Sequence, residues 1–223
     1  ILLKKYFENK VNLVPINYNF DNQTESVSDK FYQLEKKIVG ENSSSKIKRV
    51  NKYLLKNKSD YLYISASENV NWLLNIRGKD LPNSPLANCK LILARNGKSY
   101  IFSKLKKFSN LKKINFNNLI FCEEKDFFQI ICKLKKGNFC IDRNTCSIFE
   151  QELIKSKFKV KSNIDPIYNF KAIKNSNEIN NTIKSHILDG VALTKFLYWF
   201  KNKKQNTSEK KIERKLEKFR KYS

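Results

Sequence analysis

Between Asp60 and Val160 the apolar residues fall in short runs rich in aromatic and branched side chains, separated by stretches of helical period. Asp60-Tyr61-Leu62-Tyr63-Ile64-Ser65 reads as a strand. Cys89-Lys90-Leu91-Ile92-Leu93-Ala94-Arg95, then Asn96-Gly97, then Lys98-Ser99-Tyr100-Ile101-Phe102 predicts a hairpin. Its turn is type I′, because Asn-Gly accepts the positive φ that both central positions require. Leu119–Cys122 predicts a strand, Asp126–Leu134 a helix closed by Gly137, and Phe139-Cys140-Ile141-Asp142 another strand. Ile148–Lys155 reads as a helix and Phe158-Lys159-Val160 as a last short strand. An antiparallel hairpin followed by β-α-β-α-β segments predicts an α/β fold, a mixed sheet flanked by helices.

On the amino-terminal side, Phe31, Leu34 and Ile38 recur at helical spacing ended by Gly40. Ser43-Ser44-Ser45 opens a second helix with Ile47, Val50, Leu54 and Leu55 on one face. Asn9 to Asn22 is Asn-rich, contains Pro15 and keeps no period, so residues 1–25 read as a linker and 26–170 as the α/β domain. The pattern changes at Pro166. From Ser176 onward Ile179, Ile183, Ile187 and Val191 step by four, with Asn175 or Ser176 as cap and Glu178 favouring the positive helix end. Gly190 inside this helix costs about 1 kcal/mol relative to Ala, which predicts a close contact with another backbone or a family-level reason for the glycine. Asn206-Thr207-Ser208-Glu209 starts a charged helix through Arg220. Two helices with no sheet to receive them make 171–223 the opening of an incomplete second domain.

Composition adds less than it first suggests. Forty per cent hydrophobic and 13% aromatic residues in a chain of 223 suffice for a real core. No apolar run approaches the about eighteen residues of a membrane span, and Ile1-Leu2-Leu3-Lys4-Lys5-Tyr6 is too short and too charged for a signal peptide. The chain contains no Met, as expected of one that begins inside a longer reading frame or has lost its initiator, a fragment being the simpler reading. A net charge of +24 suggests nucleic acid, since phosphate neutralisation needs cations. Yet 39 of the cations are Lys and only six are Arg, whose planar fork serves phosphates and base edges better. The runs Lys104–Lys107, Lys133–Lys136 and Lys201–Lys204 form no single stripe. A compositional bias spread over solvated faces accounts for the charge. Cys89, Cys122, Cys132, Cys140 and Cys146 are odd in number, lack a C-x-x-C pair and sit mostly in apolar runs. Buried free thiols and a reducing, cytoplasmic setting follow. A zinc site would need tighter spacing and more than one histidine.

Three segments carry a resemblance. The first is Asn69-Val70-Asn71-Trp72-Leu73-Leu74-Asn75-Ile76-Arg77-Gly78-Lys79-Asp80, followed by Pro82 and Pro85. The second is Lys171-Ala172-Ile173-Lys174-Asn175-Ser176-Asn177-Glu178. The third is Ser185-His186-Ile187-Leu188-Asp189-Gly190-Val191-Ala192-Leu193 with Trp199, and Glu213 through Arg220 comes after it. In this order and spacing the chain resembles the Xaa-Pro aminopeptidase (aminopeptidase P) family over about residues 70 to 220. The resemblance implies a creatinase-like second amino-terminal domain, then the first helices of a pita-bread catalytic domain. It implies a full-length parent that removes an amino-terminal residue preceding proline, with peptides carrying proline second as substrates and a homodimer as the assembly. Catalysis in the family uses two divalent metal ions, usually manganese, held by two Asp, one His and two Glu. Those ligands lie beyond position 223 in family order, so no catalytic and no metal-binding residue is assigned here, and this segment is expected to be inactive alone.

The residues that invite a role are Trp72, Asn75, Arg77, Gly78 and Asp80. They either shape the proline-side pocket of the full-length enzyme or hold a loop, with Arg77 and Asp80 paired and Gly78 supplying a turn conformation. His186 reads as a structural or surface residue, Asp142 and Asp189 as isolated carboxylates, and Glu123-Glu124 followed by Asp126 as a charged helix start. The rival readings are a non-catalytic creatinase-like binding or dimerisation module and a basic nucleic-acid-binding domain.

Overall fold

The computed structural model describes residues 29–95, 98–111, 118–202 and 207–221, with Val11 and Val14. The expected linker over 1–25 and the Asn96-Gly97 turn therefore lie outside the described residues, apart from those two valines. The chain divides into two compact units. One comprises the residues up to Leu34 together with Asn42–Ala172, and the other Glu35–Glu41 together with Ile173–Ser223.

The first unit is built on six strands: β2 (Tyr61–Ile64), β4 (Lys90–Ala94), β5 (Ser99–Phe102), β6 (Leu119–Cys122), β7 (Asn138–Ile141) and β8 (Lys159–Ser162), in the order β6-β5-β4-β2-β7-β8. The β2/β4 and β4/β5 pairs are antiparallel, while β5/β6, β2/β7 and β7/β8 are parallel, so the sheet is mixed as expected. The hairpin register pairs Lys90 with Phe102 and Ile92 with Tyr100. Helices α2 (Ser43–Lys56), α3 (Ser67–Leu74), α4 (Phe127–Lys133), α5 (Ile148–Lys155) and α6 (Ile167–Ala172) complete the unit.

The period of two along each strand sorts the core into halves. Leu62, Ile64, Leu91, Leu93, Ile101 and Cys140 pack with Val50 and Leu54 of α2, Val70 and Leu73 of α3, and Ile167 of α6. The alternate residues Tyr63, Ile92, Phe102, Phe139 and Ile141 pack with Phe127 and Ile131 of α4 and Ile154 of α5. Aromatic contacts tie this second half together: Phe102 meets Phe127 edge-on at 5.2 Å and Tyr61 stacks on Phe139 at 5.0 Å.

Around Phe31 the sequence expectation fails. The helical spacing of Phe31, Leu34 and Ile38 yields only a four-residue helix, α1 (Lys36–Val39). Tyr32–Gln33 is instead a short strand, β1, paired antiparallel with β3 (Ile76–Arg77). Phe31 is fully buried and meets Phe108 edge-on at 5.5 Å, so a tertiary anchor overrides local period.

The second unit holds α1, α7 (Ser176–Lys201) and α8 (Glu209–Lys221). Asn175 caps α7 by accepting from the Glu178 amide (3.0 Å), and the Glu178 carboxylate accepts from the Asn175 amide (2.9 Å), a reciprocal capping box. Asp189 takes Arg220 Nε at 2.7 Å. A Cβ on Gly190 would meet no atom within 4 Å, so the expected close backbone contact is absent among the described residues.

Cys89, Cys122, Cys140 and Cys146 are buried as expected, but Cys132, read from its apolar run Gln129–Cys132 as buried too, is exposed because it lies on the outward side of α4. Burial pushes the Cys122 and Cys140 thiols up to about 11 and Cys146 to about 12, which leaves them protonated and unreactive near neutral pH. The excess lysine is not wholly solvated, because Lys46 and Lys107 are buried. Lys46 donates to two oxygens and Lys107 pairs with Asp80. No described helix is long and apolar enough to cross a membrane.

Candidate functional site

The residues singled out from the sequence gather at the end of α3 and in the loop after it. α3 ends because Asn75 adopts the left-handed conformation (φ 56°, ψ 31°), which Asn tolerates better than most residues. The chain then turns into β3. Asn75 Oδ1 accepts from Lys46 Nζ at 2.8 Å, and the same ammonium donates to the Trp72 carbonyl at 2.9 Å and lies 4.1 Å from the Trp72 ring centroid. Trp72 thus covers a buried cation supplied by α2.

Arg77 Nη1 donates to the carbonyls of Ile76 (2.8 Å) and Asn71 (3.2 Å). The expected Arg77–Asp80 pair does not form. Asp80 Oδ1 accepts from Lys107 Nζ at 2.7 Å with both side chains only 8% exposed, and Oδ2 accepts from the Asn88 amide at 2.7 Å. Lys107 sits four residues beyond Ser103 in a basic run, so Asp80's partner was hidden among other lysines.

Gly78 is not a left-handed turn residue; among the described residues the glycine with positive φ is Gly40. A Cβ on Gly78 would stand 2.8 Å from Ala87 Cα and 3.0 Å from the Leu86 carbonyl oxygen. The requirement is close approach of two backbones. Asn71 fixes the second of them: Ala87 N donates to its Oδ1 at 2.8 Å and its Nδ2 donates to the Ala87 carbonyl at 2.7 Å. A side-chain amide here does what a neighbouring strand would do.

Sequence reasoning missed two further polar clusters. Asn69, fully buried on α3, donates from Nδ2 to Asp165 Oδ2 (2.7 Å) and accepts at Oδ1 from Lys171 Nζ (2.6 Å). Asp165 Oδ1 accepts from the Ile167 amide, and Asp142 accepts from the Asp165 amide at 2.9 Å. Asp142 is therefore part of a buried network rather than isolated. On the other sheet face, Glu150 Oε1 accepts from Tyr63 (2.6 Å) and Lys90 Nζ (2.6 Å), and Oε2 accepts from Ser147 Oγ (2.8 Å). The spacing Ser147-x-x-Glu150 was a capping-box signal that could have located this group.

Burial pushes the Glu150 carboxyl up, but Lys90, Tyr63 and Ser147 outweigh it and hold the group below the usual carboxylate range. A depressed folded pKa contributes stability that is present above the unfolded value and lost as pH falls through the folded one. Glu150→Gln is accordingly expected to cost about 2 kcal/mol at pH 7 and markedly less in strong acid, checked by urea titrations across that range.

His186 is exposed on α7, Glu123 accepts from the Leu105 amide at 2.9 Å, and Asp126 caps the Glu123 amide at 3.1 Å. Among the described residues no three His, Cys, Asp or Glu side chains converge to hold a metal ion. The donors among the described residues do not fit a two-metal centre. Chemically, the Asn69–Asp80 region can hold backbone segments in register. Its named polar side chains engage protein backbone and neighbouring side chains.

Residues 22–178 match the Creatinase/Prolidase N-terminal domain family. Among curated relatives, Xaa-Pro aminopeptidase 1 of Dictyostelium discoideum is 27% identical over 197 residues, covering 84% of this chain and 31% of the relative. Xaa-Pro aminopeptidase ApepP of Drosophila melanogaster is 28% identical over 222 residues, covering 93% of this chain and 36% of its own. The chain thus spans about a third of the length of these relatives. Among solved structures, X-prolyl aminopeptidase from Caenorhabditis elegans, described as a cytosolic enzyme with a di-nuclear active site, superposes with a TM-score of 0.82 at 21% identity. That match covers 94% of this chain and 37% of the other. The prolidase of Pyrococcus horikoshii gives a TM-score of 0.61 at 19% identity over 80% of this chain and 48% of its own. These two likenesses show the fold.

Proposed function

The chain belongs to the creatinase/prolidase N-terminal domain family, and we propose that it is the scaffold part of a longer Xaa-Pro aminopeptidase. In this reading 1–25 is linker, 26–170 the second amino-terminal domain and 171–223 the first helices of the catalytic domain. The parent is a cytosolic hydrolase that removes the residue preceding proline from peptide amino termini and works as a homodimer. Two divalent ions, manganese by resemblance, are held by the portion of the relatives' length that this chain does not span. The carrying observation is the order of three motifs, Asn69–Asp80, Lys171–Glu178 and Ser185–Trp199, together with the match of residues 22–178 to the family.

The test compares the 223-residue chain with the product of the complete reading frame on an Xaa-Pro peptide with added manganese. Turnover is expected from the longer protein alone. Cleavage by the 223-residue chain by itself sinks the scaffold reading, and inactivity of both sinks the enzyme reading in favour of a non-catalytic relative.

For the Trp72–Asp80 loop, the hydrogen bonds favour holding over substrate contact. Arg77→Ala in the longer protein is expected to lower the melting temperature by several degrees, as loss of about 1–2 kcal/mol would. Turnover per folded molecule should change little. Lost activity at an unchanged melting temperature would instead make Arg77 part of the pocket.

A further inference from the structure

We infer that residues 35–41 act as a strap that orders together with the base of α7 as one cooperative piece. α1 spans only Lys36–Val39, far too short to persist as an isolated helix. Its single turn closes through the Gly40 amide on the Lys36 carbonyl (2.7 Å), which leaves the next three carbonyls without a further turn to receive them. All three are taken by asparagine amides at the start of α7. Asn175 Nδ2 donates to the Val39 carbonyl (2.8 Å), Asn177 Nδ2 to Lys37 (2.7 Å) and Asn181 Nδ2 to Ile38 (2.9 Å).

The dependence runs both ways. Asn175 is also the cap of α7, so the amide that holds the strap orients the oxygen that accepts from Glu178. Gly40 makes room for it, because with φ at 77° a Cβ there would lie 2.4 Å from Asn175 Oδ1. Strap and helix base therefore gain their order jointly, which is the signature of a local folding unit. Lys37 and Ile38 need not change for this to fail; losing the asparagine donors is enough. The inference is independent of any catalytic activity.

Hydrogen exchange by mass spectrometry on the 223-residue chain tests it with two variants. Asn177→Asp with Asn181→Asp keeps side-chain size, removes both donors, and places a carboxylate in the first turn of α7, where it favours the helix itself. Exchange in peptides covering 35–41 and 176–183 is expected to speed up together, about tenfold, with β2, β4 and β7 unchanged. Gly40→Ala attacks the same clasp from the strap side and should give the same two-segment pattern. Loosening of the strap alone, of the helix base alone, of neither, or of the sheet as well would overturn the inference.

Discussion

Gly78→Ala is expected to destabilise the chain by about 3 kcal/mol, seen as a lower urea midpoint with an unchanged slope. The added methyl would approach Ala87 Cα to 2.8 Å and the Leu86 carbonyl oxygen to 3.0 Å, and neither can retreat cheaply. Ala87 is fully buried, and both of its backbone polar groups are held by the Asn71 side chain. Moving it breaks two buried hydrogen bonds, which is why overpacking here costs more than at a flexible side chain. Gly190 supplies the control. A Cβ there enters open space on a helix, so Gly190→Ala is expected to stabilise by roughly 0.5–1 kcal/mol. Because Asn71 and Gly78 act on one backbone segment, Asn71→Ala combined with Gly78→Ala should cost less than the two single changes added. Additivity within error would mean that Asn71 does not hold Ala87 in place.

The central strands were legible in the sequence because both of their faces are buried by helices, while the less buried edge strands Leu119–Cys122 and Lys159–Ser162 were legible only from short branched and aromatic runs. In Tyr61–Ile64, Lys90–Ala94 and Asn138–Ile141 branched and aromatic residues serve either half of the core, so the run announces itself. β1 and β3 were illegible because two residues carry no period, and their pairing is decided by where Phe31 is buried. The motif Asn69–Asp80 was visible, but its physical reasons were misassigned. Gly78 was credited with a turn that Asn75 makes, and Asp80 with an arginine partner where Lys107 serves. Asn69 and Asn71 stayed silent since a helical asparagine looks like a surface residue until its partners are known. Those partners stand 96 and 102 positions away for Asn69, and no local pattern encodes such distances.

Asn69→Ala should be the most damaging single truncation on α3, at about 3–4 kcal/mol near neutral pH, because two charged groups lose a buried partner at once. Asp165 would keep the Ile167 amide but lose the Asn69 donor, and Lys171 would lose the oxygen 2.6 Å from its ammonium. The pH dependence identifies the cause. Burial, reinforced by Asp142, already raises the Asp165 pKa, while the Ile167 amide, Asn69 and Lys171 restrain it. A raised acid pKa means that the folded state is penalised as pH climbs above the unfolded value, and the penalty is relieved as the group protonates on acidification. Removing Asn69 lifts the restraint, so the folded pKa rises further and the gap widens. The destabilisation by Asn69→Ala should therefore shrink as pH drops through the raised Asp165 range, whereas a loss due to packing alone would be the same at every pH. Paired urea titrations of wild type and variant from pH 7 down to the ordinary carboxylate range make the comparison. A constant difference would remove Asp165 from the explanation and leave only the cavity. In that case the network at the ends of β2 and β7 would be packing with incidental hydrogen bonds, and the link from α3 through Asp165 to Lys171 on α6 would carry no electrostatic weight.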